Sequence, residues 1–311
     1  MKRGQSGLNL LLAIAKPTGM TSHDVVDKVR RSLGERRVGH AGTLDPAASG
    51  LLVVGVGQGT RLMGMLTMDE KSYEARIMFG SETTTDDAEG ETVRTAEIPS
   101  QLADAEYAGM ALHGLVGTHK QVPPAYSAIS VNGKRAYALA REGKDVELEA
   151  RTIEIEEAQL LAVREDGEGI SWDCAFTVSK GTYIRSIARD LGRQLGTAAH
   201  LSALCRTASG KLTLAHAATL EDVAEAGPER IAELALDPAW ALGLPVREVS
   251  EAELASLLQG KTLGTGGLAL SEGGRVSMVR DGKVYGIWEL AQGRLRTGAN
   301  FPAGIAGVHD R

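Results

Sequence analysis

Sulfur chemistry is nearly absent from this chain, whose only cysteines are Cys174 and Cys205. A disulfide framework or a four-ligand zinc site needs more, so two inert buried thiols are expected. The seven histidines never fall at H-x-x-x-H or H-E-x-x-H spacing, and no metal is expected. Aromatic residues make up only 4%, a thin supply for stacking sugars in a glycan cleft. No apolar run approaches the roughly 20 residues that a membrane-spanning helix needs. The segment Leu8–Ala15 follows Lys2 and Arg3 as an export signal would, but Lys16-Pro17 stands where a small-residue cleavage site belongs. It reads as a buried strand, and a cytoplasmic protein is expected.

An excess of positive charge is also missing. The net charge is −6 and the pI about 5.7, which argues against indiscriminate nucleic-acid binding. The distribution argues the other way. Lys28, Arg30, Arg31, Arg36 and Arg37 crowd a stretch with one acid, Glu35, and Lys180, Arg185, Arg189, Arg193, Arg206 and Lys211 surround Asp190. The acids gather elsewhere: Glu82, Asp86, Asp87, Glu89 and Glu91, then Glu147 through Glu157. A surface polarised in this way can offer a polyanion one cationic face.

The 43% apolar content supports a full core, and 311 residues suit one large domain with a smaller one. After the first strand, Thr21 or Ser22 can cap a helix whose stripe is Val25, Val26, Val29 and Leu33, with Gly34 as its stop. Gly39–Gly50 reads as a loop, Leu51–Val56 as a buried strand, Ser72–Phe79 as an alternating strand and Gly80–Gly90 as a polar loop. Residues 121–155 read as a mobile insertion. Phe176–Val178 reads as strand and Gly181–Leu195 as helix, placing Arg185, Arg189 and Arg193 on one face. Strands and helices mix irregularly, which predicts an α+β fold with a mixed sheet for residues 1–245. Beyond Leu244-Pro245 come short glycine-broken strands (Leu268–Leu270, Val276–Val279, Val284–Glu289, Leu295–Arg296), expected to form a small all-β module over 246–311. That module holds no candidate catalytic acid, so binding energy is its expected contribution and the chemistry should survive its removal.

Chemistry concentrates in Gly39-His40-Ala41-Gly42-Thr43-Leu44-Asp45-Pro46-Ala47-Ala48-Ser49-Gly50. Asp45-Pro46 could simply start a turn. Glycines on both sides, a histidine upstream and basic segments elsewhere favour a ligand-facing carboxylate. The nearby Gly55-Val56-Gly57-Gln58-Gly59-Thr60 fails as a dinucleotide loop, because G-x-G-x-x-G requires glycine where Thr60 stands.

The motif around Asp45 closely resembles the catalytic motif of TruB-type pseudouridine synthases. The likeness extends through Lys16–Ser22 (K-P-T-G-M-T-S), Lys71-Ser72-Tyr73, Val122–Ala128 with Gly133–Tyr137, Ser179–Ser186 (S-K-G-T-Y-I-R-S), Ala199-His200-Leu201 and Leu204–Thr207. These stand in the family's order from residue 8 to about 210. The last 65 or so residues resemble, less strongly, the PUA-type RNA-binding module often attached to this family. Ala15 and Ser130 depart from the usual acid and lysine.

The resemblance implies isomerisation of the T-loop uridine at tRNA position 55, with base flipping and Asp45 as nucleophile. It implies that Arg185 holds Asp45 as a two-pronged cationic partner and that Tyr73 lies against the base. By the same resemblance Tyr183 and Leu204 line the base pocket, His40 helps to displace the uridine, and Lys16 supports the pocket or the RNA backbone. Residues 121–155 would form a thumb-like insertion. The partner would be tRNA through its T arm, not DNA or a membrane, and the enzyme a monomer. Breaking N1–C1′ and rejoining through C5 involves neither redox nor a group donor, so no cofactor is expected. Neither Asp45 nor Arg185 is expected to matter for folding. Two other classes compete: a non-catalytic RNA-binding module, and a glycoside hydrolase, which would need a second carboxylate.

Overall fold

The computed structural model describes residues 6–67, 70–127, 129–131, 133–141, 148–167 and 169–309. The chain divides into two compact units, Met1–Met68 with Ala208–Arg311, and Asp69–Thr207. The fold is mixed α+β, as the sequence predicts.

In the first unit, Leu10–Lys16 pairs antiparallel with Ser49–Val56, which also pairs with Val38–Ala41. The continuous apolar runs follow from coverage on both faces. Leu11, Ala13, Leu51 and Val53 enter one core, while Leu10, Leu12, Ile14, Leu52, Val54 and Val56 enter another. That second core is completed by Val25, Val26, Val29 and Leu33 of the helix Ser22–Leu33. Thr21 is its N-cap, in a capping box with Asp24, and Gly34 ends it at φ 60°. The glycines of the rejected dinucleotide loop are explained by packing: a Cβ on Gly57 would come within 2.0 Å of Leu8 O, and one on Gly59 within 2.2 Å of Leu10 O.

Val246–Glu248, Arg275–Arg280, Lys283–Ala291 and Arg294–Ala306 form a four-stranded sheet in that order. This is the expected β module, with two differences. Leu268–Leu270 is not a strand, and a helix at Glu251–Leu258, capped by Ser250, was not anticipated. Its alternation is weak, and only Leu257 is buried. Nor does the module pack alone: Val279, Val284, Ile287, Phe301 and Ile305 share one core with Leu11, Leu51 and Val53. Removing the module would therefore open this core. Five large side chains at about 1.5–3 kcal/mol each amount to on the order of 10 kcal/mol of burial, comparable to a domain's whole stability of about 5–15 kcal/mol. A chain ending at Leu244 should lose its cooperative thermal unfolding transition. A sharp melt near the full-length temperature would contradict this shared core.

In the second unit the strand order is Gly117–Gln121, Arg151–Asp166, Gly169–Val178, Lys71–Phe79, Ala199–Ser209. Lys71–Phe79 alternates buried and partly exposed residues, as a sheet with one covered face dictates. The helix spans Ile184–Gln194, starting after Gly181 (φ 82°). Within the insertion expected at 121–155, residues 128, 132 and 142–147 lie outside the described residues; Ser130–Val131 pairs with Lys134–Arg135, and a helix follows at Ala136–Arg141. Among the described residues no helix is long and apolar enough to cross a membrane.

Candidate active site

Asp45 is half-buried on a tight turn, its carbonyl accepting the Ala48 N–H at 3.1 Å, with Pro46 fixing φ at the next position. The motif Lys16–Ser22 grips this turn by its backbone. Ser22, 2% exposed, accepts the Leu44 N–H at 2.9 Å and donates to the Leu44 carbonyl at 3.0 Å. Gly19 N–H donates to the Pro46 carbonyl at 2.8 Å. Lys16, 1% exposed, donates through Nζ to the carbonyls of Pro17 (2.9 Å), Met20 and Pro46 (3.4 Å). Lys16 is thus placed inside the turn, with its ammonium on backbone carbonyls. Because Thr21 caps the helix, the Ser22 hydroxyl is free to hold Leu44; reading Ser22 only as a possible cap hides this role.

His40 lies on the strand Val38–Ala41 rather than in a loop, opposite Val54. Its ring meets His23 edge-on, centroids 6.3 Å apart. The expected loop Gly39–Gly50 therefore begins and ends in strand, which holds His40 and Ser49 on a rigid sheet.

The remaining expected site residues belong to the second unit. Tyr73 is 8% exposed, opposite Phe176. Leu204 is half-buried on Ala199–Ser209. Tyr183 precedes the helix and is held by Gln121, whose side-chain amide accepts the Tyr183 N–H at 2.9 Å and donates to its carbonyl at 3.0 Å. Arg185, one step into the helix, is 5% exposed. Its Nη1 donates to Thr85 O at 2.9 Å and lies 3.4 Å from Asp87 Oδ2; its Nη2 donates to Tyr126 O at 3.0 Å. The expectation that Arg185 is irrelevant to folding is thus corrected, because the guanidinium ties three chain segments together. Sequence reading missed Gln121, Thr85 and Asp87, since nothing local links positions so far apart in the chain.

The picture of separated acids and bases changes as well. Glu82, Asp86 and Asp87 are buried and face the helix arginines. Arg189 pairs with Asp86 at 2.8 Å, and Arg193 with Glu82 at 2.6 Å, where Arg94 also binds. These arginines are neutralised at home, so this helix face is not the free cationic surface its spacing suggested. Burial raises the Asp86 carboxyl above its ordinary range against the pull of Arg189. Arg193 lowers that of Glu82, with Arg94 helping against burial. A lowered folded-state pKa means stability that is present above the ordinary value of 4.5 and lost as pH falls through the folded one. Thermal melts on acidification should therefore drop more for the wild type than for Glu82→Gln; equal slopes would remove Glu82 from the acid response.

Among the described residues no group of His, Cys, Asp and Glu could hold a metal ion. Cys174 is buried, its thiol pushed up to about 12 by desolvation.

Residues 30–184 match the family model for the N-terminal domain of TruB family pseudouridylate synthase, and 185–239 that for the C-terminal domain of tRNA pseudouridylate synthase B. The chain is 45% identical over 278 residues to tRNA pseudouridine synthase B of Mycobacteroides abscessus, covering 89% of this chain and 91% of that protein. Against tRNA pseudouridine synthase B of Mycobacterium tuberculosis the identity is 42%, covering 92% and 94%. Among solved structures, an archaeal box H/ACA Nop10–Cbf5 complex matches with TM-score 0.64 at 22% identity, over 90% of this chain and 78% of that one; a Cbf5–Nop10–Gar1 complex gives 0.65 at 22%, over 91% and 78%. These two likenesses concern the fold. With its motifs in order and its relatives matched nearly end to end, the chain belongs to the TruB family of pseudouridylate synthases.

Proposed function

We propose that the protein is a tRNA pseudouridine synthase that isomerises the T-loop uridine at position 55, without a cofactor, and acts as a cytoplasmic monomer. The observation that carries this reading is the clamp on Leu44–Pro46. The Ser22 hydroxyl, donating to the Leu44 carbonyl and accepting its N–H, with the Gly19 N–H and Lys16 Nζ on the Pro46 carbonyl, holds the Asp45 turn from both sides. An enzyme whose nucleophile must meet one carbon needs that rigidity.

Asp45 attacks the sugar, or stabilises its developing positive charge, as the N1–C1′ bond breaks. The freed uracil turns, C5 bonds to C1′, the C5 proton leaves and N1 gains one; atoms balance with no oxidant. Arg185 serves as the cationic partner of the Asp45 carboxylate. Tyr73 packs against the base, Tyr183 and Leu204 line its pocket, and His40 fills the space vacated when the uridine leaves the T-loop stack. Lys16 holds the turn. Residues 121–155 act as a thumb on the T arm, and 246–311 as an RNA-binding module.

Mapping pseudouridine in bulk tRNA from cells lacking the protein tests reaction and position together. Loss confined to the T-loop site is expected. Unchanged T-loop pseudouridine would overturn the assignment.

A further inference from the structure

A cavity of about 870 Å³ lies within the first unit, where Gly7–Asn9, the arginines flanking Gly34 and the turn at Gly57–Thr60 meet. Arg30, Arg36 and Arg37 line it, and none of its lining residues is acidic. Arg36 is exposed and has no ion-pair partner among the described residues. Arg37 commits Nε to Thr60 Oγ1 at 2.9 Å and keeps its two terminal nitrogens available. Arg30 pairs with Asp27 at 2.8 Å and donates to the Val38 carbonyl at 2.9 Å, yet its Nε is buried without an acceptor. The one acid in this stretch, Glu35, is 0% exposed and turned inward, accepting from Ser6 Oγ at 2.6 Å and the Arg37 N–H at 2.8 Å.

A concentration of forked N–H donors around an open volume, with no counter-charge in its wall, is the chemistry that receives phosphate. Arg189 and Arg193 are already committed to Asp86 and Glu82, whereas no ion pair engages Arg36 or Arg37 among the described residues.

We propose that this cavity seats a backbone phosphodiester of the RNA substrate, at the other end of the strand Ser49–Val56 from the Asp45 turn. The inference rests on tRNA being the substrate. From Arg37 to His40 is three residues of nearly extended chain, about 10 Å at ~3.3 Å each. A phosphate held at Arg36 and Arg37 therefore anchors the RNA backbone about 10 Å of chain from His40, setting its register as phosphate contacts do. Ala303 of the C-terminal sheet also lines the cavity, and its N–H donates to Gln58 Oε1 at 3.2 Å, so both parts of the unit shape it.

Binding of tRNA to the full-length protein across a salt series tests this. Replacing Arg36 and Arg37 with alanine should weaken binding about 10-fold and flatten the log–log salt slope by about 1–2. Should the double variant fail to fold, Arg36→Ala alone, at an exposed side chain, should flatten it by about 1. A steep wild-type slope with an unchanged variant overturns the cavity assignment and leaves the enzyme reading intact. Absence of tRNA binding by the wild type would instead strike the enzyme reading. Inorganic phosphate that raises the melting temperature of the wild type but not the variant, with tRNA affinity unchanged, would give the cavity to a free phosphate compound and overturn the proposal.

Discussion

Asp45→Asn should leave no measurable pseudouridine while tRNA affinity changes little. Asparagine keeps the shape of the side chain but cannot attack C1′ or balance positive charge there, so the lost interaction is one made in the transition state. Affinity should persist because most of it comes from phosphate contacts spread over a wide surface. The variant should also fold. The grip on this turn is on the backbone of Leu44 and Pro46, through Ser22, Gly19 and Lys16, and none of those bonds uses the carboxylate. A melting temperature close to wild type is the accompanying expectation.

Arg185→Lys should lower turnover on the order of ~100-fold, if orientation of the carboxylate is worth ~3 kcal/mol. Charge is kept and the planar fork is lost. The structure adds a second effect. Arg185 splits its donors between the carbonyls of Thr85 and Tyr126 and lies against Asp87, and a single ammonium cannot reach all three. A carbonyl left without its donor in a buried setting costs about 1–3 kcal/mol, so the melting temperature should fall too. Turnover per folded molecule, measured well below that temperature, separates the two effects. Activity that returned fully on correcting for folded fraction would make Arg185 purely structural.

How much of this was legible depended on how local the physics is. The capped helix Ser22–Leu33 was readable because Thr21, the apolar stripe and Gly34 are each a short-range signal. The runs at Leu10–Lys16 and Ser49–Val56 were readable as buried strands, although not that alternate residues feed two separate cores. Charge was the least legible property. Asp86 and Asp87 look like surface loop acids until Arg185 and Arg189, far along the chain, are placed against them. Gln121 gives no sign in sequence that its amide will straddle the Tyr183 backbone. The C-terminal boundary was visible as a change in composition, whereas the core it shares with Leu11 and Val53 depends on tertiary packing alone. At the site, Asp45 is singled out by its motif alone. The reason for the motif Lys16–Ser22, a set of backbone clamps on the Asp45 turn, emerges only from the geometry.

The central claim is that this protein exchanges a glycosidic bond on a T-loop uridine through Asp45. The direct measurement uses a T-arm hairpin carrying tritium at uridine C5, incubated with wild-type protein and with Asp45→Asn. Pseudouridine formation must expel the C5 hydrogen, so the wild type should release tritium from the single target uridine until the hairpin is consumed. The variant should release none while still binding the hairpin. Absence of release by folded, hairpin-bound wild-type protein, or equal release by the variant, would contradict the account.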